Sequence, residues 1–392
     1  MLDLGNQPLA NNLLKPEDLG KPEPRFPLRL FVCCDCWLMQ LTDLVPPITL
    51  FSEYPYFSSV SETFRQHVAA AARLHILEQC LNRESLVMEV ASNDGCFLEH
   101  FQQAGMRVLG IEPAANVARS ALAKGIDTRV EFFGFELGRR LALEGHAAHL
   151  VLGNNVLAHA PEIGDFVSGL REVLRPGGRI VLEFPYAIDL LERVEFDTIY
   201  HEHVFYFTLS PLVRLFECHG LRIARVERIP IHGGSLRIWA GHNAEVESDA
   251  SVKGMLDLEA RSGLDGEAIY DRFARQVLEL KSELLEQLAG LKHQGKSVAG
   301  YGASAKGSTL LNFMGIGAET LEFVADRSPH KQGRLTPGTG LPIVATDQIL
   351  ARCPDYVLLL TWNFAEEILE QQAEYRRRGG KFIIPIPEVR VV

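Results

Sequence analysis

The 392 residues exceed one ordinary domain, and 47% hydrophobic with 23% charged residues is the composition of a globular chain with a substantial core. A formal net charge of −11 argues against a surface made for nucleic acid, which needs the opposite sign, but leaves room for a local basic pocket. No apolar run approaches a membrane span, so neither nucleic acid nor membrane is an expected partner.

The first twenty residues, MLDLGNQPLANNLLKPEDLG, lack the basic and apolar regions of a signal peptide. Cysteines are seven, an odd number, and Cys80, Cys96, Cys218 and Cys353 are scattered. That pattern points to a reduced, cytoplasmic protein. Residues 1–57 are rich in proline, contain the cluster Cys33, Cys34 and Cys36, and read as a small irregular domain. The apolar spacing over 59–80 predicts a connecting helix.

From Leu86 the pattern alternates between strand and helix. LVMEV, VLGIE and HLVLGNNV read as strands, and LREVLRPGGRIVLEFP as helix, turn and strand. Continuous apolar strands alternating with helices predict a parallel, doubly wound sheet. LRIARVERI and SLRIWAGH follow as β-like runs, which takes this unit from 58 to 245. A helical stretch occupies 246–295. A second α/β unit, 296–392, has strands in SVAGYG, LEFVAD, DYVLLLTW and KFIIPI. The fold class is therefore α/β, with two Rossmann-like units.

The loop after the first strand, Glu89-Val-Ala-Ser-Asn-Asp-Gly95, lies where open α/β sheets bind nucleotide-type ligands. It is not GxGxxG. Asp94 would repel a pyrophosphate but suits the cationic amino group of S-adenosylmethionine (SAM). Small residues, Ala91 and Gly95 among them, allow close backbone approach. Asn93, Pro113 and Asn155 fall at the same rim. Glu112 ends the next strand, where an acid can accept from both ribose hydroxyls; it can equally cap a helix.

Tyr200-His-Glu-His203 is an unusual polar run beside Val204-Phe-Tyr-Phe207. A histidine there can move a proton near neutral pH, typically for about 10²–10⁴-fold in rate, and Glu202 can orient it. His201 and His203 share a side if the run is a strand and diverge on a helix. Zinc is the competing chemistry, but HEH offers two ligands on one face and no third. His159 follows a strand at the rim where reactive groups collect.

Two glycine-containing segments could approach phosphate. In Gly300-Tyr-Gly-Ala-Ser-Ala-Lys-Gly307, Ser304 and Lys306 are the candidates, and the loop can be read as a dinucleotide loop with incomplete spacing. In His232-Gly-Gly-Ser-Leu-Arg237, the candidates are His232, Gly233, Ser235 and Arg237, the last of which can equally be an ion-pair partner.

Long ordered segments make the chain resemble the sugar C-methyltransferases that act on nucleotide-linked 4-keto-deoxysugars. They include LDLGNQPLANNLL, VCCDCWLMQL, LFSEYPYFSSVSETF, EVASNDG, DTIYHEHVFYF, HGGSLRIWA and GYGASAKGSTLLNF. The resemblance implies a zinc-binding N-terminal domain, a class I SAM methyltransferase domain and a C-terminal α/β domain that helps hold the nucleotide-sugar, with a thymidine diphosphate sugar as partner. It implies His203 as base, with Tyr54, His159, Tyr200 and Glu202 around it, and methylation at C3. The family's zinc domain generally has two CxxC pairs. Here Cys33 and Cys36 form one, so the zinc site reads as incomplete. Sugar O-methylation, and an NAD-dependent oxidoreductase using the Gly300 loop, are the alternatives. The chain is expected to be a monomer or homodimer.

Overall fold

The computed structural model describes residues 1–52 and 54–392, with the side chain of His232 also outside the described set. The N-terminal segment carries more regular structure than its prolines suggest. Strands β1 (Leu2–Pro8), β2 (Arg25–Val32) and β3 (Met39–Leu41) pair antiparallel, burying Leu2, Leu4, Leu28, Leu30, Met39 and Leu41 on one side. A short helix α1 (Pro47–Phe51) follows. Helix α2 (Glu62–Glu78) begins where Ser61 Oγ accepts from the Phe64 amide, and it buries Phe64, Val68, Ala71, Ala72 and His75.

The central sheet is built from β4 (Leu86–Val90), β5 (Arg107–Ile111), β6 (Thr128–Arg129), β7 (Ala148–Asn154) and β8 (Leu174–Pro185), all parallel. The two-residue strand β9 (Phe205–Tyr206) leaves this unit and pairs with β3, closing the N-terminal sheet. Strands β10 (Leu221–Ile229) and β11 (Ser235–His242) then extend the central sheet antiparallel, in the order β10-β11-β8-β7-β4-β5-β6. Every residue of β4 is buried, which explains its unbroken apolar run. Each fully buried Val or Leu contributes about 1.5–3 kcal/mol by leaving water.

Helices Ala250–Arg261 and Glu267–His293 lead to the C-terminal unit. There β12 (Val298–Tyr301), β13 (Val324–Ala325), β14 (Ile343–Val344), β15 (Tyr356–Leu359) and β16 (Lys381–Ile384) are parallel, and β17 (Arg390–Val391) is antiparallel at the edge. Helix α3 (Ala305–Met314) follows β12. Among the described residues, no helix is long and apolar enough to cross a membrane.

Candidate active site

A cavity of about 530 Å³ opens at the carboxyl ends of β4, β5 and β7. Ala91, Asn93, Glu112, Pro113 and Asn155 line it, as do Tyr54 and His159. The loop after β4 is sharply wound. Ala91, Asn93 and Asn155 have φ of 57°, 50° and 55°, and such residues in the left-handed region cost about 1–3 kcal/mol each. Gly95 has φ 74°, and a Cβ there would run into Ile126.

Three buried carboxylates meet beneath this loop. Burial, with Asp94 and Glu112 nearby, holds Glu89 well above the usual carboxylate range. Burial also raises Glu112, against the amides of Ala114 and Asn93 that it accepts at 2.8 and 2.9 Å. Glu112 therefore does cap backbone, yet a carboxylate has further lone pairs facing the cavity. Among the described residues, Glu89 Oε2, Asp94 Oδ1, Ser92 Oγ and Asn154 Nδ2 are buried without a hydrogen-bond partner. A cluster of acids with unused acceptors fits a ligand bearing a cationic amine and a sulfonium, which is the charge pattern of SAM.

The segment Tyr54–Ser59 lies across the cavity as a strap. Asn116 accepts from the Tyr54 amide at 2.9 Å and donates to its carbonyl at 2.7 Å. Asn93 accepts from the Ser58 amide and donates to the Tyr56 carbonyl, and Asp94 accepts from the Ser59 amide. The loop side chains thus hold the strap while their backbone shapes the cavity.

Tyr200–His203 is a turn, closed by the His203 amide on the Tyr200 carbonyl at 2.9 Å. The two histidines diverge. His201 lies against the carbonyls of Phe26 and Pro27 in β2, whereas His203 packs against His159, which lines the cavity. The Thr198 carbonyl, 3.0 Å from His203 Nδ1, accepts only if that nitrogen carries the proton. Nε2 is then the acceptor, and it takes the Tyr200 hydroxyl at 2.8 Å. The His159 ring meets His203 edge-on, centroids 4.9 Å apart, and burial pushes His159 down to about 4. Glu202 accepts from Asn11 Nδ2 at 2.7 Å and from the Tyr54 hydroxyl at 3.1 Å. Burial raises Glu202 to about 7, while these two donors work against it. Tyr54 and Tyr200 are raised well above the ordinary phenol range, chiefly by burial and then by the Glu202 charge. The structure thus brings Tyr54, His159, Tyr200, Glu202 and His203 into one cluster, of which Tyr54 and His159 line the cavity and the other three pack behind them.

The residues read as phosphate ligands do not join them. Arg237 is instead an ion-pair partner: its Nε donates to Glu183 at 2.6 Å, and the side chain is buried in the sheet. Burial opposes the Glu183 charge, but His67 and Arg237 hold it below the usual range. Ser235 Oγ donates to the Ile231 carbonyl, and Gly233 packs against the Glu195 carboxylate. The side chain of His232 lies outside the described residues. Ser304 caps α3 by accepting from the Gly307 amide. Lys306 Nζ is buried over the Trp362 ring at 4.9 Å, and its charge acts on Glu195 and Asp197. Among the described residues its Nζ has no hydrogen-bond partner, and it lies in the protein interior rather than at the cavity. The Gly300 loop is packed shut. A Cβ at Gly302 would collide with Thr361, one at Gly307 would come 2.8 Å from Leu360, and the space beside it is about 10 Å³. Asp326 spends both oxygens on the amides of Ala303 and Ser328. A dinucleotide has no room there.

Cys33 and Cys36 lie in the turn after β2. The amides of Asp35 and Cys36 lower the Cys33 thiol, and burial raises that of Cys36. Among the described residues, no three His, Cys, Asp or Glu side chains gather as a metal-holding group. Two thiols are half of a tetrahedral set, so these residues do not by themselves fit a structural zinc. The site residues that sequence reasoning missed are Asn11 and Asn116. Each is a lone asparagine whose partner lies far away in the chain.

Comparison with known proteins agrees with this architecture. Three family profiles match in order: "putative zinc binding domain" over residues 1–51, methyltransferase domain over 61–226, and C-methyltransferase C-terminal domain over 230–387. C-methyltransferase NovU of Streptomyces niveus is 40% identical over 393 residues, taking in 100% of this chain and 94% of the relative. The uncharacterized methyltransferase ML2584 of Mycobacterium leprae (strain TN) is 24% identical over 151 residues, 37% of this chain and 56% of the relative. Among solved structures, the magnesium protoporphyrin IX methyltransferase of Synechocystis PCC 6803 with bound SAM aligns at TM-score 0.34 and 17% identity, over 45% of this chain and 78% of that one. The PH0226 protein of Pyrococcus horikoshii OT3 aligns at TM-score 0.40 and 17% identity, over 48% and 96%. The chain belongs to the C-methyltransferase family that includes NovU. It is a SAM-dependent methyltransferase with a class I sheet.

Proposed function

We propose that the chain methylates C3 of a nucleotide-linked 4-keto-deoxysugar, through an enolate raised by His203. The Tyr200–His203 pair carries this reading, because it sets a base and a hydrogen-bond donor 2.8 Å apart. A C–H beside a ketone presents the matching pair, an acidic proton on one carbon and an oxygen on the next.

His203 Nε2 takes the C3 proton. The electrons of that C–H bond move into the C3–C4 bond as charge develops on the ketone oxygen. The Tyr200 hydroxyl swings from Nε2 to that oxygen and stabilises it, as a preorganised donor does. The imidazolium formed keeps its Nδ1–H on the Thr198 carbonyl. His159, neutral because it is buried, adds no second positive charge beside it. Glu89 and Asp94 would hold the cofactor by its positive groups and Glu112 by its ribose hydroxyls, and SAM when bound supplies an electrophilic methyl group. The enolate electrons would then form the C3–methyl bond as the methyl–sulfur bond breaks, leaving its electron pair on the sulfur of the demethylated cofactor; the C4 ketone re-forms, and His203 returns its proton to solvent. Fixing donor, base and acceptor in one cavity supplies much of the acceleration.

The test uses a thymidine diphosphate 4-keto-6-deoxysugar in deuterated solvent, with the demethylated cofactor in place of SAM. Deuterium is expected to enter C3 rapidly, and with labelled SAM the methyl is expected on carbon. Methyl on oxygen without C3 exchange would overturn the proposal in favour of sugar O-methylation.

A further inference from the structure

We propose that Asn11, in the N-terminal segment, is a positioning residue of the acid–base site that holds Glu202 as an ionised, doubly bonded carboxylate. The inference rests on the proposed function, in which the Glu202 charge, in the same turn as His203, favours the imidazolium that forms there. It goes beyond it by giving the N-terminal segment a part in catalysis that does not involve metal.

The geometry is specific. Asn11 Nδ2 is 2.7 Å from Glu202 Oε1, across 191 residues of chain. The Tyr54 hydroxyl takes the other oxygen. Both neighbours donate, which suits a carboxylate with two acceptor oxygens; a carboxylic acid would have to turn a proton toward one of two donors. Glu202 is only 4% exposed, so water does not share this task.

The groups facing Glu202 are few. Tyr54 comes from the strap and Tyr200 from its own turn, and both are phenols held protonated by burial. His201 is turned away to the β2 carbonyls. Burial pushes Glu202 up, and Asn11, first, and Tyr54, second, hold it down. Among the described residues no Lys or Arg side chain contributes. An amide donor does not titrate, so its support is the same at every pH.

Asn11 is itself held in place. The Leu13 amide bonds to the Asn11 carbonyl and the Asn12 amide to that of Leu9, which makes a tight turn. Ala10 is buried, and Leu14 exchanges both backbone hydrogen bonds with Leu335 of the C-terminal unit at 3.0 and 2.9 Å. The turn is thus wedged between the two larger units, with its amide aimed at the acid–base residues.

The experiment follows the Glu202 carboxyl by infrared pH titration of the full-length protein, with the band assigned by its loss in Glu202→Gln. The pH profile of methyl transfer from labelled SAM to a thymidine diphosphate 4-keto-6-deoxysugar is recorded alongside. Asn11→Leu is expected to move the midpoint and the acid limb of the profile upward together, by about one to two pH units. Turnover at neutral pH then falls about 5- to 50-fold and recovers at higher pH, and Asn11→Gln restores part of it. A variant that lost stability alone would lose activity equally at every pH. If Asn11→Leu does not fold, Asn11→Ser, which is too short to reach, is expected to give the same shift. A midpoint unmoved in both, with Glu202→Gln inactive, overturns the role of Asn11 alone. Full turnover by Glu202→Gln overturns the reading of Glu202 and this proposal with it.

Discussion

Trp362 Nε1 lies 2.7 Å from Oδ2 of Asp197, and this bond ties the C-terminal unit to the segment that orients His203. Asp197 is wholly buried, which raises it to about 6 against the opposing effects of Lys306 and then Trp362. Its neighbour Thr198 supplies the carbonyl that holds His203 Nδ1. Trp362→Phe keeps an aromatic ring under Lys306 and removes the donor. Stability to urea is expected to fall by about 1–3 kcal/mol, the cost of a buried acceptor left unpaired. Calorimetric affinity for SAM is expected to hold while kcat falls. An unchanged urea midpoint would show that Asp197 finds another donor.

Glu202 sets function against stability. Its folded pKa, about 7, exceeds the unfolded value near 4.5 because burial disfavours its charge. Stability from this group is therefore fully present below about 4.5 and lost as pH rises through about 7. Glu202→Gln has no proton to lose and so never acquires the buried charge. At pH 8 the variant is expected to unfold with a free energy about 1–3 kcal/mol higher than the parent, a difference that shrinks toward pH 4.5. Its methyl transfer is expected to fall at least tenfold. Parallel unfolding curves at both pH values check the sign, and a variant less stable at pH 8 contradicts it.

Cofactor affinity is expected to depend on pH through Glu89. That carboxyl holds its proton well above the usual range in the protein alone, because it is buried beside Asp94 and Glu112. A cationic ligand favours its ionised form, so binding releases a proton. SAM is expected to bind up to about tenfold more tightly per pH unit while Glu89 is protonated. Calorimetry in two buffers of different ionisation enthalpy measures the released proton. Glu89→Gln is expected to abolish the release and weaken binding.

Asn116→Ala cuts both side-chain bonds to the Tyr54 backbone. The strap stays attached through Asn93 and Asp94, so global stability is expected to change by about 1 kcal/mol or less. Tyr54 would lose its fixed position against Glu202. The expected outcome is a 10- to 100-fold loss in kcat/KM, with faster hydrogen exchange at the Tyr54 amide.

How much of this was legible in the sequence depended on the range of the contacts. β4 and β12 stand out because a strand buried on both faces needs an unbroken apolar run, and glycine-containing loops bound both. The N-terminal sheet was hidden. β3 has three residues, β9 has two, and β2 carries Pro27, so no alternation was long enough to read. The acid–base cluster was legible as a polar run beside aromatics. Asn11 was not, because asparagines in a turn are ordinary and its partner is 191 residues away. Arg237 misled because a guanidinium suits phosphate and carboxylate alike, and only the position of Glu183 across the sheet decides. Lys306 stands apart from the cavity for a reason equally hidden in the sequence, since its ring partner Trp362 lies 56 residues further on.

β9 has a consequence for the order in which the molecule is made. Met39 pairs with Tyr206, so the first sheet is completed by residues that leave the ribosome long after its other three strands. At about 5–20 residues per second, the nascent β3 waits some ten to thirty seconds with one edge open. An open edge invites pairing with another chain. When β9 closes it, the same stretch of backbone carries Tyr200–His203 into register against the N-terminal segment. Sealing the sheet and assembling the proposed catalytic centre are thus a single late event in the birth of the protein.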